Sequence, residues 1–262
     1  MAMTGRQNGS RTVVIDCFPE SLPRYRDCQA VVAVDVIRAT TTAVTAAVGG
    51  WRCFPVASIE AAVDLAKELH DPLLVGELGG NTPYGFHLSN SPAQLASLTD
   101  AARPIILLST SGTRVICEAS PQQAVYAACL RNYTAQAAIL AAHHPRVAIV
   151  GAGARGEFRT EDQMACAWIA ELLIEAGYEP LGETTELVKR WSGATVEVIT
   201  DGNSAVYLQE TSQSRDLDFI LAHVDDIQAA FRLEGGELVS VRPAVRSDRR
   251  SPPGRGHLDT ST

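Results

Sequence analysis

Short apolar runs alternate with longer amphipathic stretches from residue 11 to residue 243. Runs rich in Val, Ile, Leu and Ala predict strands at Thr12–Asp16, Ala30–Val36, Cys53–Val56, Leu73–Leu78, Pro104–Leu108, Ala124–Cys129, Val147–Val150, Tyr178–Leu181, Leu217–Leu221 and Leu238–Val241. The run Ala30–Val36 is apolar apart from Asp35 at its carboxyl end, the pattern of a strand covered on both faces. Helical spacing predicts helices at Thr40–Val48, Ser58–Leu69, Ser91–Leu98, Thr113–Ala119, Asn132–His143, Thr160–Ala176, Thr184–Ser192 and Asn203–Thr211.

The ends of several helices are marked by their chemistry. Thr40, Ser58 and Ser91 are predicted caps, with Pro92 at the first helical position, and Thr160-x-x-Gln163 has the form of a capping box. Gly49-Gly50 and Gly177 are predicted left-handed stops. Strands alternating with helices in this way predict an α/β fold, a three-layer α/β/α sandwich with a largely parallel or mixed sheet. One domain is expected over residues 11–243, a pattern that also allows two fused halves meeting near 143–146. Disordered polar tails are expected at 1–10 and 244–262.

Composition narrows the class. The 262-residue chain is 46% hydrophobic and 20% charged, enough apolar material for a sizeable core, and no run approaches the length of a membrane span. The amino-terminal MAMTGRQNGS lacks the apolar stretch of a signal peptide, so the expected location is cytoplasmic. Six cysteines stand singly without a C-x-x-C pair, which argues against a disulfide framework or a thiolate zinc site. A formal charge of −8 with no basic run argues against nucleic acid as a partner and is compatible with a divalent cation. The size and class are those of enzymes that commonly form a homodimer.

Four strand-to-helix turns carry candidate chemistry. In a largely parallel sheet the ends of such strands face one edge, and helix amino termini there offer N–H groups to anions. The first turn holds Asp35, Arg38 and Thr40, Thr41 and Thr42. The second follows Gly76-Glu77 and continues as a glycine-rich loop to Asn90-Ser91-Pro92; loops this long inside a compact domain are commonly functional. The third is LLSTSGT, with Ser111, Gly112 and Thr113 followed by Arg114. The fourth is the glycine loop Gly151–Gly156 with Gly153, Arg155 and Arg159, then Glu161 and Asp162. That loop satisfies G-x-G-x-x-G after a strand. In a dinucleotide-binding fold, however, the third glycine lies within the opening helix, whereas here the helix is predicted to begin only at Thr160.

Asp35, Glu77 and Asp162 are hard oxygen donors with no histidine–cysteine cluster, which favours Mg²⁺ over zinc. Arginines and hydroxyls beside them suit a phosphoryl group on a small anionic substrate. The Walker-type G-x-x-x-x-G-K-[ST] is absent, which disfavours nucleoside triphosphate hydrolysis. The expected catalytic residues are Asp35, Arg38 and Glu77. Expected phosphate and substrate contacts are Thr40–Thr42, Asn90, Ser91, Ser111, Gly112, Thr113, Arg114, Gly153, Arg155 and Arg159.

The segments VDVIRATTT (34–42), VGELGG with GFHLSNSP (75–92), LSTSGTR (108–114) and GAGARGEFRTED (151–162), followed by a stretch that begins at Ser204 and ends in DLDFIL (204–221), resemble the 2-phosphosulfolactate phosphatase (ComB) family, in order and spacing. The resemblance implies a three-layer α/β fold and Mg²⁺-dependent hydrolysis of 2-phosphosulfolactate to sulfolactate and phosphate, a step of coenzyme M biosynthesis. It places the family's aspartate, arginine and threonines on Asp35, Arg38 and Thr40–Thr42, its glutamate on Glu77, and its acid pair on Glu161-Asp162. The chain departs from the family pattern at His87, Ser111 and Trp168. The alternatives are a phosphatase of the same chemistry acting on another small phospho-acid, and a non-catalytic anion-binding or regulatory protein.

Overall fold

A computed structural model describes residues 10–99, 101–153 and 156–242, and the expected tails lie almost wholly outside that range. In chain order the elements are β1 (Thr12–Asp16), β2 (Ala30–Val34), α1 (Ala39–Val48), β3 (Cys53–Val56), α2 (Ile59–Glu68), β4 (Leu73–Gly76), α3 (Pro92–Ala96), β5 (Ile105–Leu108), α4 (Gly112–Glu118) and β6 (Ala124–Ala128). There follow α5 (Tyr133–His143), β7 (Arg146–Gly151), α6 (Thr160–Glu175), β8 (Glu179–Leu181), α7 (Thr184–Trp191), α8 (Asn203–Glu210), α9 (Ser214–Ala222), β9 (Ala230–Glu234) and β10 (Glu237–Val241). Short 3-10 segments occupy Pro19–Tyr25 and Val196–Asp201.

The strands form two sheets. A seven-stranded sheet has the order β10-β9-β6-β2-β7-β1-β8, and a three-stranded one the order β3-β5-β4. The pairs β2–β6, β2–β7, β1–β7 and β1–β8 are parallel, while β9 runs antiparallel to both β6 and β10. Strands before and after residues 143–146 interleave in the large sheet, so that point does not divide the sheet.

Burial with a period of two assigns the faces of the large sheet. Val32 and Val34 of β2, with Ile149 of β7, pack against α5 and α6. Val31, Ala33 and Val150 face the other way, into a second cluster with α1, α4 and one face of the small sheet. The opposite face of the small sheet, Val56, Ile106 and Leu108, is covered by α2 through Ala62, Leu65 and Ala66. Helix α1 therefore lies between two sheets. Its ATTTAVTAAV sequence buries every residue from Ala39 to Ala46, because small side chains allow close approach from all sides.

The expected α/β sandwich is present, with three local corrections. Residues 217–221, expected as a strand, lie in α9, where Leu217 and Ile220 are spaced three apart and buried together. Strand β9 was not expected, since AFRLE ends in polar residues. Its turn, Gly235-Gly236 with φ of +57° and +87°, carries the sequence signal of a hairpin with two positive-φ positions. Ser58 and Ser91 cap their helices as expected. Thr40 and Thr160 do not: Arg38 and Arg159 stand at those N-caps, without side-chain capping bonds, and Gln163 bonds Cys17 Sγ instead of closing a capping box.

Candidate active site

The turn between β2 and α1 is fixed by Thr40. Its hydroxyl accepts from the Asp35 N–H at 2.8 Å and lies 2.7 Å from the Ala128 carbonyl. Thr41 Oγ1 donates to the Val36 carbonyl at 2.8 Å. These hydroxyls hold the backbone of the turn, and the Asp35 side chain lines a cavity of about 470 Å³. The Ile37–Arg38 peptide bond is cis.

All four expected turns reach this cavity, although they come from two sheets. Asp35 and Arg38 follow β2, Ala152 follows β7, Glu77, Gly79, Gly80 and Asn90 follow β4, and Thr110 and Ser111 follow β5. Glu77 ties the loops of the small sheet together. Its Oε1 accepts from the Thr110 N–H at 2.7 Å, and its Oε2 accepts from the Thr110 hydroxyl at 2.9 Å and the Gly80 N–H at 2.8 Å. Gly112 begins α4 against Asp35, so closely that a side chain there would overlap the carboxylate.

Two further acids stand at the start of α6. Asp162 lines the cavity and accepts from the Val36 N–H at 2.7 Å, which joins the β7 loop to the β2 loop. Glu161 is 1% exposed, and neither of its carboxylate oxygens has a hydrogen-bond partner among the described residues. Burial pushes the Asp35 carboxyl up to about 7; the Glu77 and Glu161 charges push the same way, while the Ala39 N–H and Arg38 oppose them. Burial also holds Asp162 well above the carboxylate range, reinforced by Asp35 and Glu161. Glu161 is raised by burial in turn. These acids are crowded together in a place that penalises their charge.

The cations are fewer. Arg38, 6% exposed, donates from Nη1 to Asp216 Oδ2 at 2.5 Å and to Gln213 Oε1 at 2.7 Å. Arg159 lines the cavity with its nearest acid, Glu157, 3.9 Å away. The cavity lining thus carries four acids, Asp35, Glu77, Glu157 and Asp162, and two arginines.

Several expected contacts are turned elsewhere. Thr40, Thr41 and Thr42 are buried in α1 and do not line the cavity. Thr113 closes a ring with Ser109 of N–H and hydroxyl bonds at 2.9 and 3.0 Å. Ser91 donates to Asp216 at 2.6 Å and caps α3. Arg114 pairs with Glu118 on the exposed side of α4. The Gly153 N–H bonds the Cys17 carbonyl at 3.0 Å, and Arg155 lies outside the described residues. His87 Nδ1 accepts from the Leu74 N–H, a backbone role on β4. Asn90, Ser111 and Arg159 do line the cavity. Thr110, Tyr207, Gln213 and Asp216 were not expected. Thr110 stands one residue before Ser111 in the motif that pointed to its neighbours, while Tyr207, Gln213 and Asp216 stand in the 204–221 stretch of the family resemblance, to which no site residue was assigned.

Among the described residues, no three His, Cys, Asp or Glu side chains converge into a ready-made metal cage. The donor chemistry nevertheless fits a hard divalent cation. Asp35, Glu77 and Asp162 surround one cavity, Glu161 raises the proton affinity of two of them, and its own oxygens are unpartnered. Acids so crowded take up protons unless a cation replaces them.

A family model described as 2-phosphosulpholactate phosphatase matches residues 17–235. A protein of Carboxydothermus hydrogenoformans, named a probable 2-phosphosulfolactate phosphatase, is 32% identical over 228 residues, covering 85% of this chain and 94% of its own. One of Pseudothermotoga lettingae with the same name is 39% identical, covering 77% of this chain and 87% of its own. A third, from Deinococcus radiodurans, is 31% identical over 78% of this chain and 86% of its own.

Proposed function

Because the chain belongs to the 2-phosphosulpholactate phosphatase family, we propose that it hydrolyses 2-phosphosulfolactate to sulfolactate and phosphate with the help of Mg²⁺, a coenzyme M biosynthesis-type step in the cytoplasm. The observation that carries this reading is the gathering of Asp35, Glu77 and Asp162 with Arg38 and Arg159 around one cavity. An anionic substrate meets four acids and two arginines there, so binding needs added positive charge. No helix among the described residues is long and apolar enough to cross a membrane.

Asp35, Glu77 and Asp162 would hold the cation. When bound, it lowers the pKa of water and neutralises phosphoryl oxygens. Arg38 binds phosphoryl oxygens through the guanidinium nitrogens not engaged by Asp216 and Gln213, and stabilises the charge that gathers there in the transition state. Asp35, which lines the cavity, takes the proton of the attacking water. A bond forms between that water oxygen and phosphorus as the bond from phosphorus to the C2 oxygen breaks, and the proton passes to the C2 oxygen, which leaves as the hydroxyl of sulfolactate. Arg159 holds an anionic group at the far end of the substrate.

Ser111 lines the cavity where the family resemblance leads one to expect asparagine, and this favours a second reading in which the same chemistry acts on another small phospho-acid. Phosphate release from 2-phosphosulfolactate, phospholactate and phosphoglycerate, each with Mg²⁺ and with EDTA, separates the readings. We expect Mg²⁺-dependent turnover that is fastest on 2-phosphosulfolactate. Faster turnover of another substrate favours the second reading, and no turnover of any overturns both.

A further inference from the structure

Asp216 lies on α9, far in sequence from every expected site residue, and is 3% exposed. Its carboxylate is shared by groups from two loops that approach the cavity from different sheets. Oδ2 accepts from Arg38 Nη1 at 2.5 Å, at the turn after β2. Oδ1 accepts from the Ser91 hydroxyl at 2.6 Å and from the Ala93 N–H at 3.1 Å, at the start of α3 beyond β4. Ser91 follows Asn90, which lines the cavity with its Oδ1 unpartnered. Gln213, one turn before Asp216, supplies a second acceptor to the same Arg38 nitrogen.

A buried carboxylate bridging a guanidinium and a helix start restrains both at once, since its Oδ2 accepts from Arg38 while its Oδ1 accepts from Ser91 and Ala93. We propose that Asp216 is a positioning residue for the phosphatase reaction: by holding Arg38 through Nη1 and the Asn90–Ser91 segment through Oδ1, it sets the spacing of two cavity walls about the phosphoryl group. The assignment rests on the reading of Arg38 as a phosphoryl ligand. Asp216 itself touches no substrate. It acts by keeping the remaining guanidinium donors of Arg38 aimed into the cavity, where even small misplacement is costly to rate.

The test is a double-mutant cycle of Asp216→Asn and Arg38→Ala, read as kcat/KM for Mg²⁺-dependent phosphate release, with inorganic phosphate binding followed by calorimetry. Asp216→Ala and thermal melting accompany it as controls of folding. We expect Asp216→Asn to lower kcat/KM roughly 10- to 100-fold and to weaken phosphate binding, and to lower both by a clearly smaller factor when Arg38 is already alanine, where only the hold on the Asn90–Ser91 segment is left to lose. Equal losses in both backgrounds, or no loss from Asp216→Asn in the otherwise unaltered protein, overturn the proposal. If Arg38→Ala itself keeps full activity and phosphate affinity, the reading of Arg38 fails, and the positioning role with it. If no phospho-acid is turned over, the phosphate-binding arm alone decides: unchanged affinity in Asp216→Asn, or a loss as large without Arg38, overturns the proposal, and a loss that shrinks without Arg38 supports it.

Discussion

A Cβ built on Gly112 would fall 2.2 Å from Asp35 Oδ2 and 2.7 Å from Asp35 Cβ. The amino terminus of α4 and the acid after β2 are therefore in contact, and the position tolerates no side chain without displacing one of them. Gly112→Ala is expected to cost roughly 1–3 kcal/mol of stability, the usual range for overpacking. Its effect on turnover should be larger, roughly 10²-fold or more, because the displaced group is the one assigned to the water proton. Melting curves and steady-state rates on the same preparation check both. A variant that melts lower yet keeps its rate removes Asp35 from the centre of the reaction.

The raised proton affinity of Asp35 has a consequence for stability. A carboxyl that titrates near 7 in the folded protein and near its ordinary 3.8 unfolded stabilises the fold below the lower value, and that contribution is lost as pH rises through about 7. Asp162 and Glu161, also raised, act in the same direction. His144, whose pKa is lowered by burial, acts in the opposite sense as pH falls past its ordinary 6.5. The informative quantity is thus the difference between variants. In EDTA, the Tm of Asp35→Asn relative to the parent protein should rise steadily from about pH 5 to about pH 8. A flat difference would mean that Asp35 is not the buried acid it is described to be.

Much of this arrangement is legible in the sequence, and the exceptions have physical causes. Asp35, Glu77 and Asp162 are readable because acids at the ends of apolar strand runs, or at a helix start, are uncommon and locally marked. Which strands pair is not local information: β3, β4 and β5 look no different from their neighbours, yet form a sheet of their own. Thr40 and Thr41 suggested anion contacts because hydroxyls at a helix start commonly make them. With α1 enclosed between two sheets, those hydroxyls serve backbone carbonyls instead. Asp216 was hidden because DLDFIL has the composition of a strand, and its partner Arg38 lies 178 residues away.

Glu161 is buried with neither oxygen in a well-formed hydrogen bond, and burial outweighs the help that Ser204 and the Arg159 charge give its carboxylate. Glu161→Gln removes that charge and is expected to raise Tm in EDTA. The same change should weaken Mg²⁺ binding roughly 10- to 100-fold, the range seen when a group supporting metal ligands is lost. Calorimetric titration with Mg²⁺, beside melting in EDTA, tests the pair of effects. A variant that is destabilised and binds Mg²⁺ unchanged would show the carboxylate to be a structural element unrelated to any cation.

Arg114 and Arg159 stand in opposite situations, though the sequence offered both as anion ligands. Arg114 is about two-fifths exposed on α4 and paired with Glu118 one turn on, an interaction typically contributing about 0.5 kcal/mol or less. Arg159 faces the cavity, and its nearest carboxylate, at 3.9 Å, leaves the guanidinium free to engage a ligand. Arg159→Ala should raise KM roughly 10- to 100-fold, the loss expected when a charge-assisted bond to substrate disappears, while Arg114→Ala changes neither KM nor kcat by more than about twofold. Because the phosphoryl end is assigned to Arg38, the Arg159 loss should be smaller on a phosphomonoester that lacks a second anionic group. Equal losses on phosphomonoesters with and without a second anionic group would move Arg159 to the phosphoryl end of the cavity.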